Sequence, residues 1–311
     1  MLNPTPAEIK AAATRLKGRI RRTPVLDLPT EVFGHPLAFK LEQLQISGSF
    51  KVRGAFNNML ARDVPPAGVV AASGGNHGAG VAYAATNLGH PSKIFVPRAI
   101  AKEEKLARMR GFGAEVILTD GSVADCMSAY EAHAIETGAL SVHPYDTLWT
   151  LAGQGTLAAE MEAQIEGLDT VLIAVGGGGL IGGVAAWFGD RVRVVGVETE
   201  NTNTLKKSLA EGPEIETVPS GISAGSLGGP RLGDLPYLIA KERIETALLV
   251  PDAAVFEAGR LLWEATRMVV EPGAATALAA ITSGAYVPEP DERVAVLLCG
   301  SNAAPDWFLA G

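Results

Sequence analysis

Cysteine is scarce in this chain of 311 residues: it has two, Cys126 and Cys299, and they stand far apart. They form no metal-ligand spacing, and so few of them argue for a reduced, cytoplasmic setting. Blocks of lysine or arginine are missing, and the net charge is -8. An acidic chain without a basic patch is not built for nucleic acid or an anionic membrane as its main partner. No apolar run reaches the length of a bilayer, and the opening "MLNPTPAEIK" lacks the apolar core of a signal peptide. Repeats, low-complexity tracts and an obvious linker are absent as well. What remains is 47% hydrophobic and 19% charged, enough to bury a large core. The length exceeds what one core usually supports, so two lobes are expected.

The pattern along the chain is alternation of strands and helices. Thr5, Pro6 and Glu8 mark a helix start, with a capping residue, proline in the first turn and glutamate three after the cap. That helix is expected to run to about Lys17. Strands are expected at "LAFKLE" (37–42), "GVVAA" (68–72), "SKIFVP" (92–97), "AEVILTD" (114–120), "TVLIAV" (170–175), "RVRVVGVE" (191–198) and "RVAVLLCGS" (293–301). Short β-branched runs without alternation suggest strands covered on both faces, hence parallel sheets in an α/β protein. Residues 68–146 are expected to form a small domain, with 1–67 and 147–311 forming a larger one.

In open α/β sheets ligands bind where strands end, and three loops there are unusual. "VGGGGLIGG" carries strand 170–175 through four glycines into a helix starting near Leu180. Backbone N–H groups at a helix start, with the positive end of its dipole behind them, suit a phosphate, and glycine lets the backbone come close. Close helix–strand packing without a ligand is the plainer reading. Gly177, Gly179 and Gly182 also match G-x-G-x-x-G, with Glu198 at about the distance of a ribose-binding acid. A nicotinamide-dependent dehydrogenase is therefore a rival reading, although it leaves two other stretches unexplained. One is "QISGSFKVRGAFNN" (45–58), where Lys51 follows Phe50 after a small, flexible turn. Such a lysine either begins a helix and faces solvent or projects into a site, desolvated enough to work as an amine. The other is "SGGNHG" (73–78), whose amides could bind a carboxylate, or which could simply cap a helix through Ser73 or Asn76. Together, a lysine, a phosphate cradle and an oxyanion-type turn fit pyridoxal phosphate (PLP) bound as a Schiff base.

The motifs "SGSFKVRGA", "SGGNHG", "GGGGLIGG", "HPYD…AGQGT", "VVEPGAAT" and "CGSN" fall in an order that resembles fold-type II PLP enzymes of the threonine/serine dehydratase and serine racemase family. The resemblance covers nearly the whole chain. It implies a tryptophan synthase β-like α/β fold: two open, twisted parallel-sheet lobes with the cofactor between them, in the larger domain's keeping. It implies that Lys51 is the Schiff-base lysine with Phe50 beside the ring, and that Asn76 bonds the ring hydroxyl. The amides of Gly176, Gly177, Gly178, Gly179 and Leu180 would hold the phosphate, and Ser73, Gly74, Gly75, Asn76 and His77 the substrate carboxylate. Cys299 would stand against the pyridine nitrogen as a neutral partner, or else be a core cysteine. The implied activity is β-elimination from a small β-hydroxy amino acid, giving a 2-oxo acid and ammonia, in a homodimer.

Departures from the family pattern matter too. Where racemases of the family carry a second serine, this chain has Gly74, which has no group to move a proton, so racemisation is disfavoured. Serine racemase-like activity and hydroxyaspartate dehydration remain the alternatives on the same scaffold. Glu198 matches a carboxylate that often ligates a divalent metal, but Thr202 and Thr204 stand where a second acid is expected, so a salt bridge or helix-start role is the expectation for it. A chain ending at Gly311 is expected to lack the C-terminal regulatory domain of biosynthetic threonine dehydratases.

Overall fold

A computed structural model describes residues 3–244 and 247–309. The first helix, Pro6–Leu16, starts as its sequence dictates: the Thr5 side chain accepts from the Glu8 N–H, and the Glu8 side chain returns a bond to the Thr5 backbone. Ten strands follow among the described residues, β1 (Val25–Leu28), β2 (Leu37–Lys40), β3 (Val69–Ala72), β4 (Ser92–Pro97), β5 (Glu115–Thr119), β6 (Leu140–Ser141), β7 (Thr170–Ala174), β8 (Arg193–Thr199), β9 (Ala247–Val250) and β10 (Val294–Leu297). They form a six-stranded sheet in the order β1-β2-β10-β7-β8-β9 and a four-stranded sheet in the order β5-β4-β3-β6. Pairing is parallel throughout except at β1, which lies antiparallel to β2.

The parallel arrangement explains the composition of the central strands. Helices cover both faces, so every residue of β2, β7 and β10 is buried and none alternates with a polar neighbour. Helices Leu148–Glu162 and Pro272–Thr282 are wrapped on nearly all sides by these layers, which is why they read as small and apolar all round. The main core lies around the six-stranded sheet, and a second cluster packs helix Lys51–Leu60 against β3 and β4.

Both sheets have a point where the strand order reverses direction. In the larger one the chain runs from β7 through β8 to β9 on one side and returns to β10 on the other. In the smaller one it runs from β3 through β4 to β5, then places β6 on β3's far side. Crevices form beyond the carboxyl ends of strands at such points, and one cavity is lined by residues from both.

Candidate active site

That cavity has a volume of about 470 Å³. The end of β3 brings Ser73 to His77 to it, the end of β7 brings Gly176 to Ile181, and the turn after β10 brings Cys299. Phe50 and Lys51 enter from the start of helix Lys51–Leu60. Every residue singled out in the sequence for cofactor or carboxylate therefore lines one space, although β3 and β10 lie far apart in the chain. Glu198 does not.

Lys51 answers to its surroundings rather than to solvent. Its Nζ donates to the Pro144 carbonyl at 2.9 Å and lies 5.0 Å from the centre of the Phe50 ring. Burial lowers its pKa to about 8, against the pull of Cys299 and Glu271. Removing an ammonium from water disfavours the charged form, so Lys51 gives up its proton more readily than an exposed lysine does.

Two glycine-rich turns supply unpaired N–H groups. In the first, Ala79 makes the opening bond of helix Asn76–Asn87, to the Gly75 carbonyl. The N–H groups of Asn76, His77 and Gly78 precede that bond and are free for an anion. The Gly75 N–H already serves the Ser73 hydroxyl at 3.2 Å. The His77 ring does not face a ligand as a cation: its Nε2 meets the Val142 carbonyl at 2.8 Å. A carbonyl only accepts, so that nitrogen carries the proton, and burial with the nearby Lys51 charge lowers the His77 pKa to about 3. His77 thus offers its main chain, not its ring, to the turn.

In the second turn, Gly182 makes the opening bond of helix Gly179–Phe188, leaving the N–H groups of Gly179, Leu180 and Ile181 ahead of it. Gly178 sits at φ +87, where other residues are strained, and a Cβ there would come within 2.6 Å of Leu232 and Pro236. A Cβ on Gly177 would collide with the Tyr145 ring. Glycine is therefore required at both positions by the packing of the turn, which leaves its backbone without side chains there.

Cys299 is buried, and burial followed by the Glu271 charge pushes its pKa up, so it stays a neutral thiol. Its carbonyl accepts from the Phe50 N–H at 3.2 Å, tying the β10 turn to the lysine segment. Several lining residues were not assigned from sequence: Pro144 and Tyr145 within "HPYD", Glu271 within "VVEPGAAT", Lys102, Lys105 and the turn 225–229. Glu271 is the one carboxylate among the described residues lining the cavity. It accepts from Asn76 Nδ2 at 2.7 Å, and burial raises its pKa.

Glu198 is sealed within the fold. It accepts from the Leu205 and Lys206 N–H groups at 2.6 and 2.9 Å, at the start of helix Thr204–Glu211. That is a helix-start carboxylate, and burial raises its pKa to about 8 against those two bonds. An acid so enclosed cannot reach a ribose, which removes the support for the dinucleotide reading of the 177–182 loop. Among the described residues no group of three His, Cys, Asp or Glu side chains is placed to hold a metal ion.

An amine of lowered pKa, two helix starts with N–H groups ahead of their first bonds and a neutral thiol share one cavity, and the residues present fit PLP, a phosphorylated carbonyl cofactor. The profile of the family described as "Pyridoxal-phosphate dependent enzyme" matches residues 16–300, and the chain belongs to that family. It is 37% identical over 315 residues to a phenylserine dehydratase from Ralstonia pickettii, covering 98% of this chain and 95% of the relative. Its fold matches maize serine racemase with a TM-score of 0.91 at 31% identity, covering 97% of this chain and 94% of the other. It matches the T.th. threonine deaminase with a TM-score of 0.89 at 36% identity, covering 97% and 99%. The fold is that of fold-type II PLP enzymes, and PLP is the cofactor. No described helix is long and apolar enough to cross a membrane.

Proposed function

We propose that the chain is a PLP-dependent ammonia-lyase acting on a small β-hydroxy amino acid, with L-threonine and L-serine as the first candidates. PLP supplies an aldehyde that condenses with an amine and a ring that draws electrons from the substrate Cα. The protein's own residues do the rest. Lys51 holds the cofactor and, as a neutral amine, removes the proton from the substrate Cα. The amides of Asn76 and His77, with Ser73 beside them, hold the α-carboxylate. The 176–180 turn holds the phosphate, and Asn76 and Phe50 flank the ring. Cys299, held as a thiol, gives the ring nitrogen a neutral contact, which favours prompt loss of the β-hydroxyl over long storage of charge. In balance, threonine gives 2-oxobutanoate and ammonia, the water lost in elimination being regained when the imine is hydrolysed.

The observation that carries this reading is the half-buried Lys51 amine, lining one cavity together with the two glycine-rich helix starts. Elimination is favoured over racemisation because Gly74 has no side chain to move a proton and the His77 ring gives its Nε2 proton to Val142. The relative that dehydrates phenylserine extends the candidate substrates to β-aryl compounds. In the same proposal the cofactor lies between a lobe of residues 68–146 and one made of 1–67 and 147–311. The working form is a cytoplasmic homodimer. A keto-acid assay over L-serine, L-threonine, 3-hydroxyaspartate and β-phenylserine tests the reaction: at least one should yield a 2-oxo acid and ammonia together. Turnover confined to β-replacement with an added thiol contradicts it.

A further inference from the structure

The two ends of an asparagine amide have nearly the same shape and opposite chemistry, so the surroundings must decide which end of Asn76 meets a ligand. Here the decision can be traced to an atom without a choice. The Ser47 carbonyl can only accept, and Asn302 Nδ2 donates to it at 2.9 Å. The same nitrogen gives its other hydrogen to Asn76 Oδ1 at 2.6 Å. With its oxygen engaged, Asn76 presents Nδ2 on the other side, where Glu271 Oε1 accepts at 2.7 Å. Turning the Asn76 amide over would set two NH₂ groups against each other and its oxygen against a carboxyl group. Each such mismatch leaves a partly buried polar atom unpaired. Two glycines make room for the arrangement: a Cβ on Gly48 would collide with Asn302 Oδ1, and one on Gly300 with Glu271 Oε1.

We propose that Asn302 and Glu271 are positioning residues that fix the Asn76 amide with its nitrogen toward the cavity, so that one N–H binds Glu271 and the other is left for the ring hydroxyl of PLP. This rests on the placement of PLP proposed above. Neither residue need touch the cofactor; Asn302 does not line the cavity at all. Glu271 acts as an acceptor rather than as a charge. Glutamine can therefore replace it, since an amide oxygen accepts equally well, whereas leucine cannot.

The test is a titration of PLP into the cofactor-free full chain, followed by visible absorbance, with thermal melting to verify that each variant is folded. Glu271→Leu and Asn302→Leu should each weaken PLP binding by on the order of tenfold, while Glu271→Gln should stay within about threefold of the parent. In an Asn76→Ala background both leucine substitutions should lose most of their effect, because the group they position is gone. Equal loss in Glu271→Gln and Glu271→Leu would overturn the proposal, since charge would then be what matters. So would leucine effects that persist undiminished without the Asn76 amide. If Glu271→Leu does not fold, Asn302→Leu in the two backgrounds decides the same point. A parent protein that forms no PLP chromophore defeats the cofactor placement instead, and is distinguishable from either result.

Discussion

Gly74 carries the proposal that elimination prevails over racemisation, and the structure shows what a side chain there would meet. A Cβ would lie 3.4 Å from Val96 Cγ1 and 3.6 Å from Ile100 Cδ1, ordinary contacts on a backbone that is not left-handed. Gly74→Ser should therefore fold and place a hydroxyl beside the carboxylate turn. Chiral chromatography of an L-serine reaction should show no measurable D-serine from the parent and some from Gly74→Ser. D-serine from the parent at a rate near that of elimination would mean that another group carries the second proton. Lys51 gives a prediction in pH. Its folded-state pKa is about 8, whereas the unfolded chain keeps that proton to about 10.4. Between those values the unfolded state binds more protons, so stability rises with pH through that window and the cost of burying the ammonium is felt in full below it. The cofactor-free parent should accordingly gain in melting temperature relative to Lys51→Met between about pH 8 and 10.4. Parallel profiles would mean that Lys51 is not desolvated.

Helix Lys51–Leu60 is held by charge as well as by packing. Arg53 Nε and Nη2 donate to the two oxygens of Glu42 at 2.7 and 2.9 Å, and Nη1 and Nη2 to Glu160 at 2.8 and 3.0 Å. Lys40 Nζ, on β2, completes the group at 2.9 Å from Glu160. Two cations and two carboxylates balance, and burial of the Arg53 charge is more than offset by its acids, so its pKa is raised. Arg53→Met would leave Glu42 buried without its cation. Urea denaturation should show a loss of about 3–5 kcal/mol, the range for breaking one side of a buried pair. The glycine turn before helix Gly179–Phe188 gives the matching test of binding. Gly178→Ala forces a Cβ into Leu232 and Pro236 at φ +87. PLP affinity should fall by on the order of tenfold or more, for a strain of about 1–3 kcal/mol. Both elements were readable from sequence, because a β-branched run ending in glycines and a lysine after a small-residue turn are local signals. Strands β1, β6 and β9 were not: they have four, two and four residues, and β1 is a half-exposed edge. Its antiparallel pairing also departs from the all-parallel expectation, as an edge strand with one neighbour can.

At the scale of the molecule, the site exists only because two sheets bring their switch points to the same cavity. That explains which residues the sequence concealed. Asn76 and Glu271 meet at 2.7 Å across 195 positions of chain, and Lys51 reaches the Pro144 carbonyl across 93. No local pattern marks such partners; sheet pairing places them. It also explains why the motifs that were visible turned out to share a single space, since each sits at the carboxyl end of a strand or the start of the helix beside it. The central claim is that this space holds PLP on Lys51. Its most direct test is to record the absorption spectrum of the purified protein, reduce it with borohydride, and map the modified peptide by mass spectrometry. A yellow protein that loses its visible band on reduction and carries the pyridoxyl group on Lys51 is the predicted result, with no label in Lys51→Ala. A colourless protein, or a label on any other lysine, would contradict the account.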